Sequence, residues 1–271
     1  MGNIELTVIM PMFNERETVA KVVRRVLNEI PLQLELIIID DGSTDGSGAI
    51  ADALAREDSR IQVIHQANQG KTAALKAGFE RSRGEIVIIQ DSDLEYDPAE
   101  IPHVLQPILD NHADVVYGSR FLVRRASRVL YFYHYLANSV LTLLSNALTN
   151  LNMTDVETGY KALRGDIIRN MIIESSGFGV EIEITAKVAK LGAAVYEVPI
   201  SYYGRTYEQG KKIGTKDGLL ALWYILRFNL LCSLNNSFRT IPKLNGNEIR
   251  DFGRTPAGVA APSAKAHRIS G

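Results

Sequence analysis

Three carboxylates alternate with other residues in Asp91, Asp93 and Glu95, directly after an apolar run that ends at Ile89. Residues two apart in an extended chain point to the same side, about 6.5 Å apart along the strand, so these carboxylates could converge on one point. Carboxylates without Cys or suitable His companions favour a hard divalent cation, which commonly completes its shell with phosphates and water. The spacing predicts a Mg²⁺ or Mn²⁺ site with Asp91, Asp93 and Glu95 as ligands.

Two adjacent acids, Asp40 and Asp41, follow a second apolar run, Leu34 to Ile39. Ser43 or Asp45 could cap the next helix, but capping does not explain two neighbouring acids. A carboxylate here could instead accept hydrogen bonds from a nucleobase or ribose.

The first apolar run leads into Pro11, Phe13 and Glu15. Pro11 could simply end the strand, because proline has no N–H to donate to a neighbouring strand. Alternatively, Phe13 could stack on a nucleobase and Glu15 could form a hydrogen bond to it.

Gly70, Lys71 and Thr72, at a predicted helix start, match part of a phosphate-binding loop. That motif needs a glycine five residues before Gly70, and the sequence has His65 there, which excludes it. Lys71 could still meet a phosphate at this helix N-terminus, where backbone N–H groups attract anions.

The elements that must position these residues alternate along the first half of the chain. Apolar runs predict strands at Leu6–Met10, Leu34–Ile39, Ile61–Ile64, Glu85–Ile89 and Asp114–Tyr117. Amphipathic stretches predict helices at Glu17–Ile30, Ser47–Arg56, Thr72–Arg81 and Pro98–Leu109, the last capped by Asp97. This alternation predicts an α/β fold with a mostly parallel central sheet flanked by helices. Ligands bind beyond the carboxyl ends of such strands, which places segments 11–15, 40–45 and 90–97 along one rim.

Residues 129–154 contain no Asp, Glu, Lys or Arg and predict a helix from Val129 to Leu151. Its polar residues recur on one helical face, at Asn138, Thr142, Ser145, Thr149 and Asn152. The helix could pack in the core, or it could lie in a membrane interface with its aromatic end, Tyr131 to Tyr135, near the headgroups. The arginines just before it suit either anionic lipid or a phosphate-bearing acceptor; they are Arg120, Arg124, Arg125 and Arg128.

The chain has 271 residues, which suits one elaborated domain, and its 46% hydrophobic and 23% charged residues exclude wholesale disorder. Its 30 basic and 31 acidic residues nearly cancel, so no global charge argues for nucleic acid. The single cysteine, Cys232, excludes an intramolecular disulfide. With no visible secretory signal or membrane span, we expect a cytoplasmic protein. From Asn235 onward the chain has six basic and two acidic residues, and we expect this tail, 235–271, to be poorly ordered.

Five motifs follow one another along the chain, at Val8–Glu15, Ile39–Asp45, Gly70–Lys71, Asp91–Asp93 and Gly118–Arg120. In order and spacing they resemble family-2 glycosyltransferases, in the branch of dolichyl- and polyprenyl-phosphate sugar synthases. Thr154–Lys161 and Ser201–Arg205 extend the resemblance to about residue 234. The resemblance implies a GT-A fold over residues 1–234, with a donor-binding half at 1–120, an acceptor half at 121–234, and a nucleoside-diphosphate sugar as donor.

The resemblance also implies roles for individual residues. The nucleoside of a UDP- or GDP-sugar would be held by Pro11, Phe13, Glu15 and Asp41. Asp91 and Asp93 match the positions that hold the ribose, diphosphate and metal, whereas Glu95 stands where family synthases often have Gln. The cations of a mobile loop on the diphosphate would be Arg205 and Lys211.

Inverting transfer, which the resemblance implies, displaces the nucleoside diphosphate from the anomeric carbon in one in-line step. A phosphate acceptor is already anionic and needs cationic positioning, for which Arg120 and Arg128 are the candidates. A hydroxyl acceptor needs a carboxylate to take its proton. The candidates for this base are Asp155, Glu181 and Glu183, although Glu181 and Glu183 could merely cap the helix that follows.

We expect a metal-dependent inverting glycosyltransferase that acts on polyprenyl phosphate at the cytoplasmic membrane face, with peripheral membrane contact. One alternative is the same chemistry on a soluble hydroxyl acceptor. Another is a protein that binds a nucleotide-sugar without turnover, although intact acidic and basic constellations argue against it. A nucleotidyltransferase would need a glycine-rich loop with downstream Lys or Arg, which is not evident.

Overall fold

The computed structural model describes residues 4–122, 131–204 and 215–244. Their strands are β1 (Leu6–Met12), β2 (Leu34–Asp40), β3 (Ile61–His65), β4 (Ile86–Ile89), β5 (Val115–Ser119), β6 (Lys161–Arg164) and β7 (Val195–Pro199). They form one sheet in the order β3-β2-β1-β4-β6-β5-β7. β6 runs antiparallel to β4 and β5, and the other neighbours are parallel. The prediction of a mostly parallel sheet is therefore confirmed, with β6 and β7 as strands that it did not include.

Helices flank this sheet. The bounds of the first five along the chain are close to the predicted ones, whereas no bounds were predicted for the last three. The helices are α1 (Val19–Glu29), α2 (Ser47–Glu57), α3 (Lys71–Arg81), α4 (Ile101–Leu109), α5 (Phe132–Thr149), α6 (Gly165–Asn170), α7 (Val180–Leu191) and α8 (Thr215–Leu226). A short 3₁₀ turn, Pro98–Glu100, precedes α4, and Asp97 accepts a hydrogen bond from the backbone N of Ala99 at 2.9 Å. This contact confirms Asp97 as the cap. A π-helical turn, Arg227–Leu231, continues α8.

Two hydrophobic cores lie on opposite faces of the sheet. Successive side chains of a strand point to opposite faces, and β1 shows this directly. Ile9 belongs to the core formed with α3, α7 and α8, while Val8 and Met10 belong to the core formed with α1 and α4. Because β1 is buried throughout and lies between β2 and β4, its carboxyl end opens at the middle of the sheet.

The chain stays packed against the domain beyond residue 234. The backbone O of Ser237 accepts a hydrogen bond from the N of Ile172, Phe238 is buried, and Arg239 forms an ion pair with Glu80. Residues up to 244 therefore differ from the poorly ordered tail that we expected from 235 onward, and 245–271 lie outside the described residues. Among the described helices, none is both long and apolar enough to cross a bilayer.

Candidate active site

The carboxyl ends of β1, β2 and β4 meet at one edge of the sheet. Met12 pairs with Asp40 across β1 and β2, and the backbone N of Asp41 donates to the O of Met12 at 2.8 Å. On the other side, the N of Gln90 donates to the O of Ile9 at 2.9 Å. The segments that follow these strands therefore lie together, and the predicted rim is confirmed.

Hydrogen bonds join the first two loops of this rim. The backbone N of Asn14 donates to the hydroxyl of Ser43 at 3.0 Å, and the Asn14 side chain accepts from the N of Thr44 at 2.8 Å. Asn14 reaches this position with φ of 56°, in the left-handed region that asparagine tolerates better than most residues. Asp45 accepts from the backbone N of Ser47, the first residue of α2, at 2.9 Å. The N-cap position of α2 is Gly46, so neither predicted residue stands there, although Asp45 satisfies the first N–H of the helix from one residue earlier.

Pro11, Phe13 and Glu15 lie at the start of the same rim. Pro11 is buried inside β1 and does not end it, and its backbone O accepts from the hydroxyl of Ser92 at 3.0 Å. Phe13 and Glu15 are half-buried beyond the strand, where the Glu15 carboxylate accepts from the hydroxyl of Thr18 at 3.0 Å. The structure therefore brings all three residues to the edge at which β2 and β4 also end.

Asp41 is buried and holds the loop that precedes α3. Its carboxylate accepts from the side chain of Gln66 at 2.7 Å, from the backbone N of Gln69 at 2.9 Å and from that of Gly70 at 2.8 Å. Gly70 has φ of 89°, a conformation that glycine adopts at little cost. These bonds fix the backbone that leads into Lys71, the first residue of α3. A carboxylate has about four lone-pair sites, so Asp41 retains capacity for one more donor.

Lys71 links two carboxylates from separate parts of the chain. Its Nζ lies 3.0 Å from Oδ1 of Asp91 and 3.2 Å from Oε1 of Glu181. Burial lowers the pKa of Lys71, but the charges of Asp91 and Glu181 outweigh this effect and raise the pKa above its ordinary value. The Oε2 atom of Glu181 is buried and has no hydrogen-bond partner among the described residues. Lys71 therefore remains a fixed cation beside Asp91.

The three predicted metal ligands do not converge. Among the described residues, no group of three or more His, Cys, Asp or Glu side chains could hold a metal ion. The chain after β4 is not extended, because Leu94 has φ of 63° and turns it. Asp93 accepts from the backbone N of Glu95 at 3.0 Å, while Glu95 accepts from the hydroxyl of Tyr202 at 2.7 Å. The alternation on which the three-ligand prediction depended is therefore absent.

The smaller set of Asp91 and Asp93 still fits a divalent cation that is held together with a diphosphate. Mg²⁺ in phosphate sites is usually bound by one or two carboxylates, with phosphate oxygens and waters completing the shell. The backbone at Gly159 also passes close to Asp91, since a Cβ on Gly159 would lie 2.7 Å from Oδ2 of Asp91. The donor chemistry of these two carboxylates agrees with a hard cation.

Arg120 and Asp155 form a buried ion pair at the end of β5. Nε and Nη2 of Arg120 lie 2.6 and 2.7 Å from the two carboxylate oxygens of Asp155, and the backbone N of Arg120 adds a bond of 3.2 Å. Asn138 of α5 also donates to Asp155, at 3.4 Å. Asp155 is fully buried, whereas the Arg120 side chain is 15% exposed. The arrangement holds one guanidinium at the edge of the site.

Tyr202 connects this ion pair to the rim. The sequence did not predict this connection. The Arg120 guanidinium lies 5.2 Å from the centre of the Tyr202 ring, within range of a cation–π interaction. The hydroxyl of the same ring donates to Glu95. The Ser201–Arg205 motif marked this segment, but the structure was needed to see that its tyrosine touches both Arg120 and Glu95.

The contacts of the Glu183 carboxylate give it a structural role. It is fully buried and accepts from the backbone N of Glu174 and of Ser175, each within 3.1 Å. Lys187, one helical turn later and also fully buried, lies 2.6 Å from the Glu183 carboxylate. Glu183 thus holds the loop before α7, and of the two glutamates in the first turn of that helix only Glu181 reaches Lys71.

Behind the site lie Lys161, which is fully buried, and Glu157, which is half-buried with its Oε1 atom enclosed. The sequence did not predict a role for either residue. Nζ of Lys161 donates to the backbone O of Val156 and of Thr158, and burial lowers the pKa of Lys161 to about 8. Burial of the Glu157 carboxyl, reinforced by the nearby charge of Glu181, raises the pKa of Glu157 to about 7. The one signal in the sequence that pointed to these two residues was their position in the Thr154–Lys161 motif.

Arg128, Arg205 and Lys211 lie outside the described residues, as do Arg124 and Arg125. A groove of about 510 Å³ lies between α3 and the loop 173–176, and none of the predicted site residues lines it. The described site is therefore the rim of β1, β2 and β4 together with the ion pair at the end of β5.

Known proteins resemble this chain in sequence and in fold. An undecaprenyl-phosphate mannosyltransferase of Micrococcus luteus is 31% identical over 82% of this chain and 97% of its own length. A polyprenol monophosphomannose synthase of Mycolicibacterium smegmatis is 32% identical over 77% of this chain and 81% of its own.

Among solved structures, glucosyl-3-phosphoglycerate synthase from Mycobacterium tuberculosis, in complex with Mn²⁺, UDP and phosphoglyceric acid, superposes with a TM-score of 0.63. It is 21% identical, and the match covers 83% of this chain and 78% of that one. This likeness shows that the fold is of the GT-A type. The family model named glycosyl transferase family 2 matches residues 7–171. The chain therefore belongs to glycosyl transferase family 2.

Proposed function

We propose that this glycosyltransferase moves a sugar from a nucleoside-diphosphate sugar to a polyprenyl phosphate, with inversion at the anomeric carbon and with a divalent metal. The main support for a phosphate acceptor is the state of the three carboxylates that could act as a base. Asp155 is bound to Arg120, Glu183 to Lys187 and two backbone N–H groups, and Glu181 to Lys71. A hydroxyl acceptor needs such a base, whereas a phosphate is already anionic.

The cations of the site suit this chemistry. Arg120 is held with its guanidinium at the edge of the site, where it would orient the acceptor phosphate. Lys71 would keep Asp91 in place beside the diphosphate. We assign Arg128 to the acceptor phosphate, and Arg205 and Lys211 to the leaving diphosphate, on their sequence positions alone. Asp93 completes the acidic pair with Asp91, and a metal bound there would stabilise the charge that develops on the leaving group.

The donor nucleoside would lie along the rim. Phe13 offers an aromatic face and Glu15 a hydrogen-bond acceptor, beside the buried Pro11 and Asp41. The names of the two relatives support both a polyprenyl-phosphate acceptor and a mannosyl group. Because such an acceptor is anchored in a bilayer by its lipid chain, the enzyme would work as a peripheral protein at the cytoplasmic face of the membrane.

The test is a donor and acceptor screen. The full chain is incubated with polyprenyl phosphate and labelled UDP- or GDP-sugars, with Mg²⁺, with Mn²⁺ or with a chelator. We expect label in the lipid extract with one donor, and none with the chelator. Label that stays in water-soluble products would instead support transfer to a soluble hydroxyl acceptor. Binding of a nucleotide-sugar without any product would show that turnover has been lost.

A further inference from the structure

Helix α5 exposes large apolar side chains and buries polar ones, although three of its leucines pack half-buried against the core. In a helix on the surface of a water-soluble protein, the apolar side faces the core and the polar side faces solvent. In α5, Phe132 is 67% exposed, Tyr133 81% and Leu143 70%, while Thr142 and Ser145 are buried. The apolar side chains on the outer face therefore lack the cover that the core gives to other helices.

The polar side chains of α5 form hydrogen bonds with the rest of the protein. Asn146 exchanges two hydrogen bonds with the backbone of Met153, at 2.8 and 3.1 Å. Asn138 donates to Asp155, and the Thr142 hydroxyl accepts from the backbone N of Val156, each at 3.4 Å. These contacts fix the rotation of the helix, so turning its apolar side inward would break all of them.

The neighbouring helix extends the exposed apolar area. α5 packs against α8 and the π-helical turn that follows it. The α5–α8 surface is defined by Phe132, Tyr133, Tyr135, Leu136, Val140, Leu143, Leu219, Trp223, Leu226, Leu230 and Leu231. Beyond these, only five large hydrophobic side chains are exposed in the described part of the chain, and Tyr131, just before α5, is one of them. Such a concentration marks an interaction site.

We propose that the α5–α8 surface docks on a lipid bilayer and lays the enzyme flat on the membrane that carries its acceptor. This inference rests on the proposed function, because a polyprenyl-phosphate acceptor presents its phosphate at a membrane surface. α5 has 18 residues and a length of about 27 Å at 1.5 Å per residue. A helix in the interface plane buries only its apolar side in the lipid, which agrees with the satisfied polar side of α5.

Charge and composition favour a bilayer over a second protein as the occupant. Residues 129–154 carry no charged side chain, while residues 123–130, just ahead of α5, contain three arginines and no acidic residue. Arginine next to an apolar surface complements anionic headgroups. The surface also exposes Tyr133, Tyr135 and Trp223, residue types enriched at membrane–water interfaces.

The position of α5 relates the surface to the reaction. Asn138 of α5 contacts the Asp155 carboxylate that holds Arg120. Docking of α5 would therefore bring the Arg120 guanidinium close to the level of the headgroups, where the acceptor phosphate lies. This geometry requires no membrane-spanning helix.

The experiment measures flotation of the full chain with vesicles of phosphatidylcholine, with and without phosphatidylglycerol. We expect the native chain to float, and more of it with the anionic lipid. Leu143→Glu and Leu219→Glu should each lower vesicle binding about tenfold or more, because a charge replaces an apolar group at the interface. Leu109→Glu is the matched control, since Leu109 is an exposed leucine of α4 outside the surface, and it should float like the native chain.

A native chain that stays with the vesicle-free fraction would overturn the proposal. So would flotation of the two glutamate variants at the native level, or variants that only convert a native dimer into monomers without loss of vesicle binding. With a short, water-soluble isoprenyl phosphate, Leu143→Glu and Leu219→Glu should keep native turnover, and loss of that turnover would contradict a docking role. If the native chain floats but glycosylates no isoprenyl phosphate, the acceptor assignment fails, while the docking surface is supported by its own measurement.

Discussion

Both carboxylate oxygens of Asp155 are bound to the guanidinium of Arg120, at 2.6 and 2.7 Å. The pair is buried on the Asp155 side and exposed to the site only through Arg120. A carboxylate in this state is a poor general base, because taking a proton would break its bonds to a buried cation. The geometry favours Asp155 as a residue that positions Arg120.

Asp155→Asn tests this role. The substitution keeps the shape of the side chain but removes its charge, so the Arg120 guanidinium loses its ionic partner. Because loss of one partner of a buried charge pair costs roughly 2–5 kcal/mol, we expect the KM for polyprenyl phosphate to rise about tenfold or more. The pH dependence of kcat should keep its native shape, because no base has been lost. Steady-state kinetics across pH measures both, with Asp110→Asn, an exposed aspartate of α4's end, as the control. Loss of the acidic limb of the profile in Asp155→Asn would identify Asp155 as the base after all.

Gly159→Ala tests the close approach of the chain to Asp91. The added Cβ would lie 2.7 Å from Oδ2 of Asp91 and 3.1 Å from the ring of Tyr96. Because Lys71 holds that carboxylate, it cannot move away without breaking the ion pair. We expect a drop in kcat/KM for the donor of about tenfold or more, since catalytic groups displaced by about 1 Å lose much of their effect.

The matched control for Gly159→Ala is Gly218→Ala. A Cβ on Gly218, in α8, would meet no atom within 4 Å. Alanine in a helix is more stable than glycine by about 0.5–1 kcal/mol, so Gly218→Ala should unfold at a slightly higher temperature and keep full activity. Equal activity of the two variants would contradict the packing described at Asp91.

The position of the rim could be predicted from the sequence, but the contacts within the rim could not. Parallel βαβ order alone brings the ends of β1, β2 and β4 together, so the segments with Asp41 and Asp91 could be placed without coordinates. The three-ligand prediction failed at Leu94, which adopts a left-handed conformation that is uncommon for leucine. A leucine gives no indication of such a turn in the sequence. The turn directs the Glu95 side chain away from the expected cluster.

Buried charges were the other limit of sequence reasoning. Glu183 and Lys187 are spaced like a solvent-exposed i,i+4 pair, yet both are fully buried. β6 begins with Lys161, a residue type that is depleted in strands and rarely fully buried unless paired. These charges are tolerated because backbone carbonyls, N–H groups and opposite charges surround them. Many of these partners are backbone groups of the nearby loops 156–158 and 172–175, and the residue types alone do not show how those loops turn back onto the charges.

Glu157→Gln should change how stability depends on pH. The pKa of Glu157 is raised from 4.5 to about 7, so the folded state binds more protons than the unfolded chain between these values. The contribution of Glu157 to stability is therefore most favourable below pH 4.5 and is lost as the pH rises through about 7. Urea unfolding at several pH values should show a smaller decline over this window in Glu157→Gln. The exposed Glu57→Gln should behave like the native chain, and an unchanged decline in Glu157→Gln would refute the buried-carboxyl assignment.

His65→Gln should destabilise the protein most at acidic pH. Nδ1 of His65 lies 2.9 Å from Asp40 and Nε2 lies 3.0 Å from Asp52, and these hydrogen bonds raise the pKa of His65 above 6.5. The stabilisation is fully present below pH 6.5 and is lost as the pH rises through the higher, folded-state pKa.

Thermal unfolding of His65→Gln and of the native chain should therefore differ more at pH 5.5 than at pH 9. His103→Gln, at an exposed histidine of α4, is the control and should follow the native chain at both pH values. A destabilisation by His65→Gln that is the same at both pH values would show that the two carboxylates do not hold a protonated ring.

In the proposed reaction a lipid-linked phosphate, and not a hydroxyl, attacks the donor sugar. The most direct measurement compares polyprenyl phosphate with the matching polyprenol in the same assay, with the preferred nucleotide-sugar and a divalent metal, followed by NMR of the lipid extract. We predict product only from the phosphate, with the sugar joined through that phosphate and with inverted anomeric configuration. Equal transfer to the polyprenol would refute the phosphate nucleophile, and a product with retained configuration would refute the inverting step.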